Sequence, residues 1–277
     1  GLIEKVANPY WVRGGNIMKK VIALCLTAAM AASLLTGCGS KTTETTAAAG
    51  AENSAAASEA GASEGKEELV FVNYRDIRDL NPHLYAGEMY AQEMLYETLV
   101  NITADGYEGC LAESWDISDD GKTYTFHIRD DANWSNGTPV TAADFVFAWQ
   151  RAADPEVASE YSYMLSDIGQ IKNAADIIAG SKDKSELGVT AVDDKTLQVE
   201  LNVPVSYFLS LMYFPTFYPV NEEFYNTCAD TFASSPETTL ANGAFVLDSY
   251  EPAATTIHLS KNPYYYDADK IALSGLH

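Results

Sequence analysis

The sequence predicts an α/β fold, and three observations carry that prediction. Tyr124, Phe126 and Ile128 alternate with Thr123, Thr125 and His127, the period of two of a half-buried strand. Ahead of them, Trp115 and Ile117 lead into Asp119-Asp120-Gly121, a tight-turn signal, so the stretch reads as a β-hairpin. Behind them, after an Asn136-Gly137 turn, Thr141 stands as a helix N-cap with Asp144 in the first turn. Phe145, Ala148, Trp149 and Ala152 follow at helical spacing. Hairpin, turn and amphipathic helix are expected to pack through Trp115, Trp134, Trp149 and several phenylalanines.

From the start of the chain, residues 1–17 lack an initial Met and show no periodicity, and Arg13-Gly14-Gly15 reads as a translated ribosome-binding site. They are expected to be an upstream extension. Met18-Lys19-Lys20, the apolar run Val21 to Leu35 and a small-residue site form an export signal over 18–37. The run is too short and too early to serve as a spanning anchor. Leu35-Thr36-Gly37-Cys38 resembles the lipobox of bacterial lipoproteins, which implies acylation of Cys38 and a membrane tether. Residues 38–66, rich in Ala, Ser, Thr, Glu and Gly without a large apolar side chain, read as a flexible tether.

The folded part is expected from Glu67. Leu69 to Val72 reads as a buried strand, Asn81-Pro82 as a turn, and Met89 to Val100 as a helix through Tyr90, Met94, Leu95 and Leu99. Later, Ile171 to Ala179 reads as a helix with Gly180 as its C-cap. Leu197, Val199 and Leu201 alternate as a strand after an Asp193-Asp194-Lys195 turn, and Val205 to Phe214 is an aromatic-rich helix ending near Pro215. Asn242 to Leu247 and Thr256 to Leu259 read as sheet strands.

Composition narrows the function. With 17 Lys plus Arg against 39 Asp plus Glu, the net charge of −22 would repel phosphate backbones, which argues against nucleic acid and anionic membrane surfaces as partners. Seventeen tyrosines suit packing, and also a cleft that needs an apolar ring with a polar tip. Cys25, Cys38, Cys110 and Cys228 lack metal-ligand spacing, and His83, His127, His258 and His277 are dispersed, so no local motif holds a metal. Cys110 and Cys228 read as free thiols, with a disulfide between them as the alternative. Gly61-Ala62-Ser63-Glu64-Gly65 matches a hydrolase elbow, and Ser63 to Lys66 and Ser181 to Lys184 match S-x-x-K. The first two fall in the tether, which cannot hold a serine against a base, and all three are discounted.

The literal residues say more. The run from Ala112 to Arg151, AESWDISDDGKTYTFHIRDDANWSNGTPVTAADFVFAWQR, resembles the signature segment of extracytoplasmic solute-binding proteins of family 5, the receptors of peptide and related ABC importers. Leu80 to Tyr85 (LNPHLY), LGVTAVDDKTLQVEL from Leu187, and Lys261-Asn262-Pro263-Tyr264 resemble the same family. The resemblance implies a periplasmic-binding-protein-like fold of the large, type II peptide-receptor class. Residues 67–96 would start the first lobe, 97–221 would form an inserted α+β domain, and 222–277 would return to a first lobe left incomplete, with the second lobe absent. It further implies a non-enzymatic monomer without a cofactor; the Cys38 lipobox and the tether composition add lipid anchoring on the outer face of a single-membrane bacterium, with a periplasmic setting as the alternative. Such a protein captures oligopeptides by backbone recognition and lobe closure and delivers them to the ABC permease.

The same resemblance places Ala86, Gly87 and Glu88 at the ligand cleft through backbone contacts, and Tyr161 as a side-chain contact. Gly87 equally suits a turn before the helix, and Tyr161 equally suits ordinary packing. Rival readings are a receptor for dipeptides, nickel chelates or oligosaccharides, a peptide-sensing receptor that signals, and a secreted serine hydrolase.

Overall fold

In the computed structural model, which describes residues 68–70, 80–84, 89–250 and 256–277, β1 (Glu68–Leu69) precedes α1 (Met89–Leu95). A ribbon of β2 (Val100–Thr103) and β3 (Gly106–Gly109) leads to β4 (Ala112–Ile117), β5 (Thr123–Ile128) and α2 (Ala142–Ala153). After α3 (Ala174–Ile178) come β6 (Val189–Asp193), β7 (Thr196–Glu200), α4 (Phe208–Leu211) and α5 (Glu222–Cys228). The strands β8 (Phe245–Ser249), β9 (His258–Lys261) and β10 (Gly275–Leu276) close the order.

Two four-stranded sheets result. One is antiparallel throughout, in the order β4-β5-β7-β6, and α2 packs on β6 and β7. Its inner face carries Tyr124, Phe126, Ile128, Val189, Leu197 and Val199, all buried, against Phe145, Ala148, Trp149 and Ala152 of the helix. The hairpin and the helix thus form as the alternation and the helical spacing predict. The Asp119-Asp120-Gly121 turn closes through Gly121 N–H donating to Ser118 O at 2.8 Å, with Gly121 at φ +69°. Trp134 and Trp149 are fully buried, whereas Trp115 and Ile117, the register partners of Phe126 and Tyr124 on the inner face, are half-exposed and 47% exposed at the sheet edge. Helix α2 packs on β6 and β7, at the far side of the sheet from this edge strand, so the expected triad of packed tryptophans is a pair.

The second sheet has the order β1-β10-β9-β8, with β1 parallel to β10 and the rest antiparallel. Its strands β8 and β9 fall where the sequence predicts them. Leu69 and Val70 are 37% and 71% exposed, so this stretch is an edge strand and not the buried one expected. Residues 71–72 of that strand lie outside the described residues.

Helix α1 stops at Leu95, five residues short of the predicted end. Its last carbonyl is taken by the N–H groups of Asn242 (3.0 Å) and Gly243 (2.8 Å). The Glu97 N–H then goes to Asn242 Oδ1 (3.1 Å), and the Thr98 N–H goes to the carboxylate of Glu97 (3.1 Å). Leu99 and Val100 are buried as expected, but in a turn and a strand, because non-local donors compete successfully with the helical ladder. Gly243 can approach this closely because it lacks a Cβ, which would lie 2.8 Å from Met94 O and 2.9 Å from the Leu95 carbonyl carbon. Gly243→Ala is therefore expected to destabilise the fold by about 1–3 kcal/mol through backbone overpacking. The check is a lower urea midpoint at unchanged m.

Two further helices are shorter than their periodicity suggests. Ile171 bridges Leu201 and Asn173 takes φ +66°, so α3 begins only at Ala174. It ends as predicted, with Gly180 at φ +73° donating to Ile177 O and Ser181 N–H donating to Asp176 O, both at 2.8 Å. In place of the Val205 to Phe214 helix there is one turn, Phe208–Leu211, and then a 3₁₀ turn at Pro215–Phe217. Phe208, Leu211, Met212 and Phe217 are all buried, so no single helical face had to be satisfied. Cys110 is buried and Cys228 partly so, and the two are not joined by a disulfide.

Candidate functional site

The Leu80-to-Leu84 segment enters the core on polar anchors. Leu80, Asn81 and His83 are buried, and His83 N–H donates to Asn81 Oδ1 at 3.1 Å while Leu84 N–H donates to Asn81 O at 3.2 Å. The His83 ring lies between the last turn of α2 and the 3₁₀ segment. Arg151 Nη1 donates to Nδ1 at 3.1 Å, so Nε2 carries the proton and faces Tyr218 O at 3.4 Å. Burial, and then the Arg151 charge, push the His83 pKa down to about 3. The imidazole is therefore neutral, and it accepts from a cation at no cost in like-charge repulsion.

Arg151 is itself 9% exposed. Its guanidinium lies 4.6 Å from the Tyr225 ring centroid, and its Nε–H has no hydrogen-bond partner. Among the described residues no carboxylate pairs with it. It borders a cavity of about 190 Å³, together with Asn81, Leu84, Phe232 and Tyr250. Sequence reasoning missed this pair. The available signal was a cation three residues after Ala148 and two after Trp149, on the apolar stripe of α2.

Ala86, Gly87 and Glu88 come two to four residues after Leu84 in the chain but lie outside the described residues, as do Cys38 and the serine motifs of 61–66. Tyr161 is described and half-buried. Its ring centroid is 5.2 Å from that of Phe214 and 5.9 Å from that of Tyr163, which is 43% exposed. The loop before it holds Ala158 at φ +54°, a strained conformation for a residue with a Cβ, and buries the Ser159 hydroxyl without a hydrogen-bond partner. After it, Tyr161 O accepts from Met164 N–H at the start of a π-helical turn, Met164–Ile168. Tyr161 does not line the cavity beside Arg151, so nothing described joins the two features.

The remaining S-x-x-K motif is spoken for. Ser181 Oγ donates to Asp176 O at 2.9 Å, and Lys184 pairs with Asp154 at 2.6 Å. The hydroxyl has no base and the lysine has a carboxylate, which is the opposite of an activated nucleophile.

Comparison with known proteins shows what this architecture is similar to. Residues 106–277 match the family described as "Bacterial extracellular solute-binding proteins, family 5 Middle". The periplasmic oligopeptide-binding protein OppA of Salmonella typhimurium is 39% identical over 212 residues, covering 76% of this chain and 38% of that protein. The probable deoxycholate-binding periplasmic protein YgiS of Escherichia coli is 40% identical over 205 residues, 70% of this chain and 38% of that one. Among solved structures, Listeria monocytogenes OppA bound to peptide superposes with a TM-score of 0.72 at 38% identity, over 76% of this chain and 42% of that one. The chain thus spans about two-fifths of the length of the relatives it matches. Its fold is α/β and periplasmic-binding-protein-like, and the chain belongs to the bacterial extracellular solute-binding proteins of family 5.

Proposed function

We propose that the chain is part of the substrate-binding component of an ABC importer, taking oligopeptides and handing them to permease subunits. The observation that carries this reading is the likeness, at 38% identity, to an OppA solved with peptide bound. Peptides would be held chiefly by their backbone, as a strand is added to a sheet edge, and no bond is broken. Residues 67–96 and 222–277 belong to the first lobe in this reading, and 97–221 form the inserted domain. The ligand-closing second lobe lies outside residues 1–277. Residues 18–37 act as the export signal, 38–66 as the tether, and Cys38 as the lipid anchor that holds a monomer on the extracytoplasmic face. The outer face of a single-membrane cell is favoured, because a tether of this composition suits an exposed surface. No helix among the described residues is long and apolar enough to cross a membrane.

Gly87 would bring the backbone of 86–88 to the ligand, and Tyr161 would present its ring. The strained Ala158 and the buried Ser159 hydroxyl support the second assignment, because strain of this kind collects at ligand clamps. The test is peptide titration, followed by tryptophan fluorescence, of the chain extended through a second lobe. Tyr161→Ala is expected to raise the Kd for tri- to pentapeptides about tenfold, a loss of about 1.4 kcal/mol, with the thermal midpoint unchanged. Absence of saturable peptide binding by the extended protein would refute the oligopeptide reading. A second reading, a receptor for an amphipathic non-peptide solute, draws on the deoxycholate-binding relative. Saturable deoxycholate binding without peptide binding would select it.

A further inference from the structure

One group of side chains on the second sheet has no part in the site above. Four neighbouring strands bring together residues from both ends of the described chain. Leu276 pairs with Leu259 across β10 and β9, so His277 and His258, one step on and one step back, stand opposite each other. Glu68 pairs with Gly275 across β1 and β10, and the His277 N–H donates to Leu69 O at 2.9 Å. By the alternation of strands, Glu68, His277 and His258 share one face, while Leu259 and Leu276 are buried on the other. Gly275, in the middle of that face, has no side chain to fill it.

The contacts among these groups are short. His277 Nε2 is 2.8 Å from Glu68 Oε2, and the two histidine rings lie 4.3 Å apart, centroid to centroid. One ligand atom from each of Glu68, His258 and His277 can be chosen so that all three lie within 4.8 Å of one another. Ligands around a tetrahedral zinc ion stand about 3.3 Å apart, given metal–ligand bonds of about 2.0–2.1 Å. These half-exposed side chains therefore need to close by up to about 1.5 Å to share an ion.

Asp248 adds the feature that distinguishes this group from chance surface neighbours. A β-bulge between Leu247 and Ser249 brings its carboxylate to His258, with Oδ2 2.9 Å from Nδ1. Ser260 Oγ donates to the other oxygen at 2.7 Å. The aspartate thus places the His258 proton on Nδ1 and leaves Nε2 as the nitrogen with the lone pair. This is the carboxylate–histidine–metal arrangement in which an outer carboxylate orients the ring and raises its basicity.

We propose that Glu68, His258 and His277 bind a divalent transition-metal ion of the zinc class, with Asp248 as the positioning residue for His258. Two imidazoles and one carboxylate suit Zn²⁺, Ni²⁺, Co²⁺ and Cu²⁺, and disfavour Mg²⁺ and Ca²⁺, which prefer all-oxygen shells. Three protein ligands leave a fourth position open to water. The ion would staple the two-residue edge strand β1 to the strands that return 209 residues later in the chain. The site stands independently of which solute the protein carries.

The experiment is calorimetric titration of the whole chain with Zn²⁺, its thiols first alkylated so that the four cysteines cannot compete. One equivalent is expected to bind, with no comparable uptake of Mg²⁺. His258→Ala, His277→Ala and Glu68→Gln should each weaken binding at least tenfold, and Asp248→Asn should weaken it about tenfold. His127→Ala, which breaks an exposed His–Asp pair lacking a third ligand, should leave it unchanged. At about a hundredfold excess over Kd, the wild-type thermal midpoint should rise by roughly 5–10 °C, and the rise should vanish in the histidine variants. All four side chains are at least partly exposed, so the variants are expected to fold, with midpoints in chelator equal to wild type. Absence of one-equivalent uptake, or uptake untouched in the His258→Ala/His277→Ala double variant, overturns the proposal.

Discussion

Asp144→Ala is expected to lower stability by about 3–5 kcal/mol, the scale of breaking a buried charged hydrogen-bond network. For a chain of this size that corresponds to a fall of roughly 10 °C in the thermal midpoint. The residue is 5% exposed and stands in the first turn of α2. Its Oδ2 accepts from Thr141 N–H (2.8 Å), from Thr141 Oγ1 (3.2 Å) and from the indole Nε1 of Trp134 (3.1 Å). Its Oδ1 accepts from Asn221 Nδ2 at 3.2 Å, and its backbone carbonyl accepts from Val220 N–H at 3.3 Å. One carboxylate therefore caps the helix, orients a fully buried tryptophan and holds the chain where it leaves the first sheet for α5. Burial raises the Asp144 carboxyl above the ordinary range, against four donors that lower it. Part of what the donors supply offsets that desolvation, so the net loss is smaller than the sum of four bonds. Asp144→Asn keeps the shape but turns an amide N–H₂ toward donors, and should lose at least half as much. A midpoint within 2 °C of wild type for Asp144→Ala would show that the indole and the cap find water instead.

The parts of this architecture that were legible in the sequence are those whose stabilising partners are close in the chain. Tyr124, Phe126 and Ile128 face inward because a strand paired to its own hairpin partner has only two faces to choose from. Thr141 and Asp144 announce a helix start because the capping acceptor lies three residues from its donor. Local rules failed where donors came from afar. Leu95 and Leu99 have helical spacing, yet Asn242 and Gly243 claim the carbonyl that would have continued the helix. Phe208, Leu209, Leu211, Met212 and Phe217 are all buried, a run without a single helical stripe, so periodicity carried no information about their backbone.

The same distinction applies to the site residues. Tyr161 could be placed by resemblance, but its ring partner Phe214 is 53 positions away and no pattern signals it. His83 and Arg151 are separated by 68 positions, and Glu68 and His277 by 209. A dispersed set of histidines in the sequence is thus no guide to which of them meet on a sheet.

The second large effect concerns acid. The folded chain should lose about 1.6 kcal/mol between pH 6.5 and pH 5 through His83 alone, the slope rising from half to nearly all of 1.36 kcal/mol per pH unit for one proton. The folded-state pKa of His83 lies at about 3, below the ordinary value of 6.5, because burial and the Arg151 guanidinium both disfavour the imidazolium. Between those values the unfolded chain binds a proton and the folded chain does not. The contribution is therefore fully present above pH 6.5 and is lost as pH falls toward 3. The window from 6.5 to 5 is chosen because most carboxylates remain ionised there. His83→Gln removes the titration while its amide oxygen can still accept from Arg151. Its urea midpoint should flatten over this window by about one proton's slope relative to wild type. Arg151→Met should instead restore part of the imidazole's basicity, so that the acid loss still begins near pH 6.5 but ends at a higher pH and is smaller in total, because the second cause of the depression is gone while burial remains. Parallel pH profiles for wild type and His83→Gln would show that His83 is protonated in the folded state, and the hydrogen bond from Arg151 would then be wrong. Together with the Asn81 contacts, the pair anchors residues 80–84 against the last turn of α2.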